Sequence, residues 1–231
     1  MISFKQFFKE ELVRVPGTQY GSNKGGVHKD KDGNEFYVKH YPDEKQAKVE
    51  ALTGQIYKHM GINTLNPEYK VINGKPSIIT RWNDKLKGMT PSEFESVNRD
   101  QANQLGRMHA AATLTKNWDI VGLEHDNIMQ HEDGSMYAVD HGGAFHFRAQ
   151  GGPKEYGPDV SERESLVNND GASGHVFSHI FDNHPSSKTA GIEAVKNIDD
   201  EHVERLFRES GLPNWEKLHQ NFKQRKENFL K

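Results

Sequence analysis

The 231-residue sequence contains no cysteine. This absence excludes disulfide bonds, thiolate metal sites and a cysteine nucleophile, and it fits a reducing compartment. Long apolar runs are missing too. No stretch approaches the roughly 20 residues of a membrane-spanning helix, and Met1 to Phe8 lack the apolar core of a signal peptide. We therefore expect a cytoplasmic protein with no membrane partner.

The charge of the chain is almost balanced. Its formal net charge is -3 and it has no long basic run, so bulk attraction to nucleic acid is not indicated. The mean hydropathy of -0.88 indicates a strongly polar surface. The length and the 12 phenylalanines are nevertheless sufficient for a folded core, in one large domain or in two lobes that share a cleft.

One stretch in the middle of the chain predicts a cleft with oxygen ligands. Ile128-Met129 and Tyr137 to Val139 are strand candidates, and Asp133-Gly134 between them is a strong hairpin turn signal. Asn127 stands before the first strand and Asp140 after the second, so a hairpin brings them together. An amide oxygen and a carboxylate suit Mg²⁺, which shares its oxygen ligands with substrate phosphates.

The first part of the chain predicts a hairpin, a helix and a second hairpin. A glycine-rich segment leads into a strand pair, and such a segment can lay backbone N–H groups over phosphates. Lys39 lies in the second strand, either facing the cleft or facing outward. A helix from Asp43 through Met60 carries Glu50 near its apolar stripe, with Glu44 in the first turn as a second candidate. The glycine-rich residues are Gly21, Ser22, Asn23, Lys24, Gly25 and Gly26.

The second hairpin comprises Glu68 to Ile72 and Ser77 to Arg81, joined by an Asn-Gly turn. It leads into Thr80-Arg-Trp82-Asn83, a candidate hinge whose backbone would face a planar ligand. Helices are expected over Ile2 to Val15 and Asp100 to Leu114. Further helices are expected over 175–183, 187–196, 199–210 and 213–230, from their apolar spacing.

The order of these motifs resembles the protein kinase fold. It is similar to the atypical branch that includes HipA-type and phosphoinositide-kinase-like proteins, and it looks closest to small kinase-like proteins of phages and prophages. The resemblance implies an α+β fold with a sheet-rich N-lobe (1–82) and a mainly helical C-lobe (83–231). It is carried by Gly21–Gly26, Tyr37-Val-Lys39, Glu50-Ala-Leu-Thr-Gly-Gln-Ile-Tyr57, Trp118-Asp-Ile-Val-Gly-Leu-Glu-His-Asp-Asn127 and Asp140-His-Gly-Gly143.

The resemblance also implies an activity and roles for these residues. It implies Mg²⁺-dependent transfer of a phosphoryl group from ATP to a serine or threonine of a protein. That protein would be a host protein if the chain is phage-encoded. Lys39, held by Glu50, would grip the α- and β-phosphates, while the glycine segment, Thr80 and Trp82 would bind the nucleotide. Asn127 and Asp140 would hold the metal, and Asp119 would act as the catalytic base.

Two departures from the kinase pattern keep alternatives open. Asp119 precedes Asn127 by eight residues rather than five, so Glu124 or Asp126 could be the base, or the chain could be a pseudokinase. His141 replaces the phenylalanine of the metal motif. Adenylyl transfer, phosphorylation of a small molecule and a His/Asp metal hydrolase are further readings.

The polar segment from Phe145 to Gly174 is either an activation or substrate-binding segment or a surface connection. Ser161 and Ser165 within it are candidates for self-phosphorylation.

Overall fold

The computed structural model describes residues 12–19 and 23–231. The first part of this chain forms an antiparallel five-stranded sheet with a long helix. The strands lie in the order β1-β2-β3-β6-β5, and Asp43 caps the helix by accepting a hydrogen bond from the Lys45 backbone N–H. The elements are β1 (Val13–Arg14), β2 (Gly25–Lys29), β3 (Glu35–His40), α1 (Glu44–His59), β4 (Asn63–Thr64), β5 (Glu68–Ile72) and β6 (Lys75–Arg81).

A second sheet of four strands connects this part to the rest of the chain. Its elements, with two helices between, are β7 (Leu86–Gly88), α2 (Pro91–Glu95), α3 (Arg99–Thr115), β8 (Ile128–His131) and β9 (Met136–Ala138). The strand order is β4-β9-β8-β7, and β4 pairs with β9 in parallel, Asn63 opposite Tyr137. The boundary between residues 82 and 83 stays a prediction, and this pairing crosses it.

The C-terminal part is helical and packs around α3. Its helices are α4 (Glu162–Ser165), α5 (Ala172–Asn183), α6 (Ser186–Lys196), α7 (Asp200–Glu209) and α8 (Trp215–Phe229). Gly106 of α3 lets α6 approach closely, because a Cβ there would overlap the backbone of Ser187. The largest hydrophobic cluster joins the inner face of α1 to α3, β8, β9 and these helices. Within the described chain, no helix has the length and apolar character to cross a membrane.

Most of the predicted elements are confirmed: both hairpins of the first sheet, the β8–β9 hairpin, α1, α3 and the C-terminal helices. The predicted N-terminal helix over Ile2 to Val15 is wrong at its end. Val13–Arg14 is an edge strand that pairs with Lys29 and His28. Val15 separates this strand from Pro16, and the residue before a proline is biased toward extended backbone. Residues 1–11 of that helix lie outside the described residues.

His109 makes the stability of this fold depend on pH. It lies in α3, buried between the rings of Phe177 and Phe181, and burial lowers its pKa to about 4. Between pH 6.5 and pH 4 the unfolded chain therefore binds a proton that the folded chain excludes, so stability falls as the pH falls.

Between pH 7 and pH 4.5, the free energy of unfolding should fall in both proteins. We expect the fall to be roughly 2 kcal/mol larger in the wild type than in His109→Gln. Urea denaturation at a series of pH values measures the difference. Parallel curves for the two proteins would contradict this account.

Candidate active site

The register of the first sheet places Lys39 on one face with a row of small and aliphatic residues. Gly25 and Ile78 lie directly opposite Lys39 on the neighbouring strands. Residues that pair across strands point to the same face of a sheet. A Cβ at Gly25 would overlap the carbonyl oxygen of Val38, so this position accepts no side chain.

Lys39 is buried and forms ion pairs with two carboxylates. Its Nζ lies 3.2 Å from Glu50 Oε2 in α1 and 2.7 Å from Asp140 Oδ1 after β9. The predicted alternative, Glu44, instead pairs with Lys48 at 2.7 Å on the outside of α1. Burial disfavours the Lys39 ammonium group, but the two carboxylates outweigh that effect and raise the pKa of Lys39.

Glu50 is the more deeply buried of these carboxylates. Tyr41, which directly follows β3, donates a hydrogen bond to the same Glu50 oxygen. Burial and the neighbouring Asp140 charge raise the pKa of Glu50, and Lys39 opposes them. Gly142 closes the cluster, because a side chain there would overlap the Tyr41 hydroxyl.

The β8–β9 hairpin brings Asn127 and Asp140 together, as its turn sequence predicts. The Val139 N–H donates to the Asn127 carbonyl oxygen at 2.9 Å. Asp140 has a left-handed backbone with φ +54°, which turns the chain sharply out of β9. Its side chain is 45% exposed, so the carboxylate stays partly accessible to solvent while Lys39 holds one of its oxygens.

The long segment between Asp119 and Asn127 returns on itself. The Gly122 N–H donates to the Asp119 carbonyl oxygen, and the Asn127 N–H donates to the Val121 carbonyl oxygen. Gly122 and His125 take left-handed backbone conformations within this turn. The eight-residue spacing is therefore a local loop that does not separate the two candidate residues.

Asp119 lies beside Asn127 at the closed end of that loop. Asn127 Nδ2 donates to the Asp119 carbonyl oxygen at 2.7 Å and to its carboxylate Oδ2 at 3.2 Å. Burial, together with the charges of Asp140 and Asp126, raises the pKa of Asp119 to about 6.

The donor set at the hairpin fits a hard cation shared with phosphates. Asp140 Oδ2 and Asn127 Oδ1 accept no hydrogen bond from residues 12–19 and 23–231. An oxygen pair of this kind suits Mg²⁺ when a substrate supplies further oxygens. The described residues contain no group of three His, Asp or Glu side chains arranged for a metal ion, so the His/Asp hydrolase reading gains no support.

The nucleotide-binding candidates are placed less uniformly. Gly21 and Ser22 lie outside the described residues, and Asn23 and Lys24 form a bend before β2. Gly25 and Gly26 are strand residues that pair with β3 rather than loop residues. Thr80 pairs with Tyr37, whose ring lies 6.0 Å from that of Trp82. The nucleotide-binding roles of these residues stay predictions.

Several residues of the cluster escaped the sequence analysis. The alternation of β3 could have identified Tyr41, since it lies two residues after Lys39. No sequence signal marks Gln46, whose Nε2 donates to the Gly142 carbonyl oxygen at 3.2 Å. None marks Lys154, whose Nζ donates to the Gly143 carbonyl oxygen at 2.7 Å. His141 is buried against the Tyr57 ring, and burial lowers its pKa to about 4.

Removing the Lys39 ammonium group should destabilise the fold. In Lys39→Met the buried Glu50 loses its cation, and we expect a loss of about 3 kcal/mol in the free energy of unfolding. The matched variant Lys196→Met breaks the exposed pair with Glu193 and should cost under about 1 kcal/mol. Denaturant unfolding of both variants measures the effects, and equal losses would contradict the different status of the two pairs.

Comparison with known proteins identifies the fold. No family model matches the chain, and no curated protein matches its sequence. The crystal structure of CtkA, a proinflammatory kinase of Helicobacter pylori, superposes with a TM-score of 0.61 at 10% sequence identity. The match covers 94% of this chain and 92% of CtkA.

Two further solved structures match over similar lengths with lower TM-scores of 0.42 each. They are LicA in complex with AMP (8% identity, 96% of this chain and 94% of LicA) and an aminoglycoside phosphotransferase from Alicyclobacillus acidocaldarius (11% identity, 98% and 93%). The CtkA match, together with the sheets and helices described above, shows that the chain has a kinase-like α+β fold with a sheet-rich N-terminal part and a helical C-terminal part.

Proposed function

We propose that the chain is an ATP- and Mg²⁺-dependent phosphotransferase. The observation that carries this proposal is the Lys39 ammonium group, which contacts Glu50 on one side and Asp140 on the other. A buried cation beside a half-exposed carboxylate can orient phosphate oxygens in the open cleft next to it. Catalysis of phosphoryl transfer needs such positioning and charge neutralisation more than covalent chemistry.

Each residue then has a distinct task. Glu50 and Tyr41 hold Lys39 so that its ammonium group points toward the α- and β-phosphates of ATP. Asp140 and Asn127 would hold Mg²⁺, which neutralises phosphate charge when it is bound. Asp119 accepts or orients the proton of the attacking hydroxyl, and the donated hydrogen bond from Asn127 fixes its carboxylate.

The acceptor in this proposal is a serine or threonine hydroxyl of a protein. A host-cell protein as acceptor follows from the resemblance to phage proteins alone. The contact between Asn127 and Asp119 favours an active enzyme over a pseudokinase, because the longer loop still brings the base candidate to the metal candidates. Ser165 lines the pocket that contains Asp119, so it is the stronger candidate for self-phosphorylation.

Label transfer from ATP tests the activity and identifies the group transferred. The protein is incubated with Mg²⁺ and ATP labelled at the γ- or the α-phosphate, with cell lysate or the protein itself as acceptor. We expect γ-label on protein, lost at least 100-fold in Asp140→Ala. Asp133→Ala, on the exposed turn of the same hairpin, is the matched control and should retain full transfer.

Label from the α-phosphate would show adenylyl transfer instead. Absence of protein label with ATP turnover would show a small-molecule acceptor or hydrolysis. Absence of both label and turnover, with ATP still raising the melting temperature, would show a pseudokinase.

The identity of the base is tested by its isostere. We expect Asp119→Asn to lower kcat by about 10²- to 10⁴-fold while the KM for ATP changes little. Glu124→Gln, an exposed side chain of the same loop, should keep kcat within about twofold. If Glu124→Gln or Asp126→Asn abolishes activity while Asp119→Asn does not, the substituted residue is the base instead.

A further inference from the structure

A pocket of about 320 Å³ opens next to Asp119, between the loop that carries Asp119 and the segment around the start of α5. Its walls include Trp118, Leu123, Leu166 and Asn169, and Asp119 is the ionisable side chain among its lining residues. Trp118 is 41% exposed and Leu123 is 84% exposed. A hydroxyl that enters this pocket therefore meets the proposed base, with aromatic and aliphatic surface around it.

Three cations surround the ring of Trp118. Lys154 Nζ lies 4.6 Å from the ring centroid, Arg148 Cζ 5.3 Å and Lys116 Nζ 5.5 Å. Cations at these distances from an indole are attracted to its face. Trp118 also lines the pocket, so the group of Lys116, Arg148 and Lys154, here called the Trp118 cation cluster, lies next to one of its walls.

The Trp118 cation cluster carries more positive charge than the neighbouring Glu162 carboxylate can neutralise. Glu162 accepts a hydrogen bond from Trp118 Nε1 at 3.1 Å, lies 3.6 Å from Lys116 Nζ, and also pairs with the buried Arg225. Arg148 and Lys154 form no ion pair within the described part of the chain. Arg148 is exposed, and its Nε donates only a long hydrogen bond of 3.4 Å to the Pro153 carbonyl oxygen.

Burial and the neighbouring positive charges both affect the ionisation of Lys154. Its buried ammonium group donates to the carbonyl oxygens of Gly143 and Lys116. Burial lowers the pKa of Lys154 to about 7; Glu162 opposes this shift, and the charges of Lys116 and Arg148 add to it. An anion at the pocket edge would relieve this repulsion.

We propose that the acceptor is a serine or threonine flanked by acidic residues, and that Arg148, the exposed member of the Trp118 cation cluster, binds the acidic flank. The inference rests on the proposed phosphotransferase function. Trp118 adjoins Asp119 in sequence, and one extended residue spans about 3.3 Å, so the recognised carboxylate lies within a few positions of the hydroxyl.

Three matched peptides test this proposal, each with a central serine flanked by glutamate, glutamine or lysine. With the full chain and Mg²⁺·ATP we expect kcat/KM for the glutamate peptide to exceed that for the lysine peptide at least tenfold. Arg148→Gln should reduce this preference to within about threefold by raising the KM for the glutamate peptide, and Arg148→Glu should reverse it. Arg208→Gln, an exposed arginine at the end of α7, is the control and should keep the preference.

A binding readout separates this inference from the proposed function. The glutamate peptide should quench tryptophan fluorescence in the wild type, and Trp118→Phe should remove most of that signal. Equal use of the three peptides, a preference for lysine, or labelling of small anionic hydroxy compounds alone would overturn the inference. If ATP raises the melting temperature and is turned over while no peptide binds or is labelled, the acceptor assignment fails and the phosphotransferase remains. If ATP does not bind, both fail.

Discussion

The arrangement of the site depends on one buried cation shared by two carboxylates. Lys39 comes from the first sheet, Glu50 from α1 and Asp140 from the end of the β8–β9 hairpin. A buried ammonium group is costly unless it is paired and hydrogen-bonded. These three elements must therefore dock together for the charge of Lys39 to be compensated, and the cleft they border is fixed by the same contacts. Asp140 alone is half-exposed, so it can exchange part of its contact with Lys39 for phosphate and metal when a nucleotide enters.

Around this cluster, glycines allow neighbouring groups to pack closer than a side chain would permit. Gly142 leaves room for the Tyr41 hydroxyl, and Gly25 leaves room for the Val38 carbonyl oxygen. The carbonyl oxygen of Gly143 accepts from Lys154, which also binds the end of α3 at Lys116. This buried lysine links the chain after Asp140 to the start of the loop that carries Asp119. The proposed nucleotide site and the acceptor pocket are thus connected through a few direct hydrogen bonds.

Local sequence patterns predicted most of the elements, while the pairing of Lys39 with Glu50 was expected from the resemblance to kinases. Asn-Gly and Asp-Gly turns located the hairpins, and the apolar stripe of α1 placed Glu50 near the interior. The loop from Asp119 to Asn127 was harder, because its return depends on left-handed residues and backbone hydrogen bonds that spacing does not reveal. Lys154 was invisible to sequence reasoning, since its partners lie 38 and 11 residues away and its environment is created by packing. The predicted glycine loop is shorter than expected, because Gly25 and Gly26 belong to β2 and pair with β3. The glycines themselves carry no information about this strand register.

The central claim is that the Lys39, Glu50 and Asp140 cluster holds the phosphates and metal of a nucleotide. A crystal structure of the protein with a non-hydrolysable ATP analogue and Mn²⁺, recorded with anomalous scattering, tests it most directly. The account predicts an anomalous peak about 2 Å from oxygens of Asp140 and Asn127, with Lys39 Nζ in hydrogen-bond contact with the α- or β-phosphate. Two results would contradict this claim. One is a nucleotide bound elsewhere, for example in the larger depression lined by Gln55, His59 and His202, and the other is an anomalous peak away from Asp140.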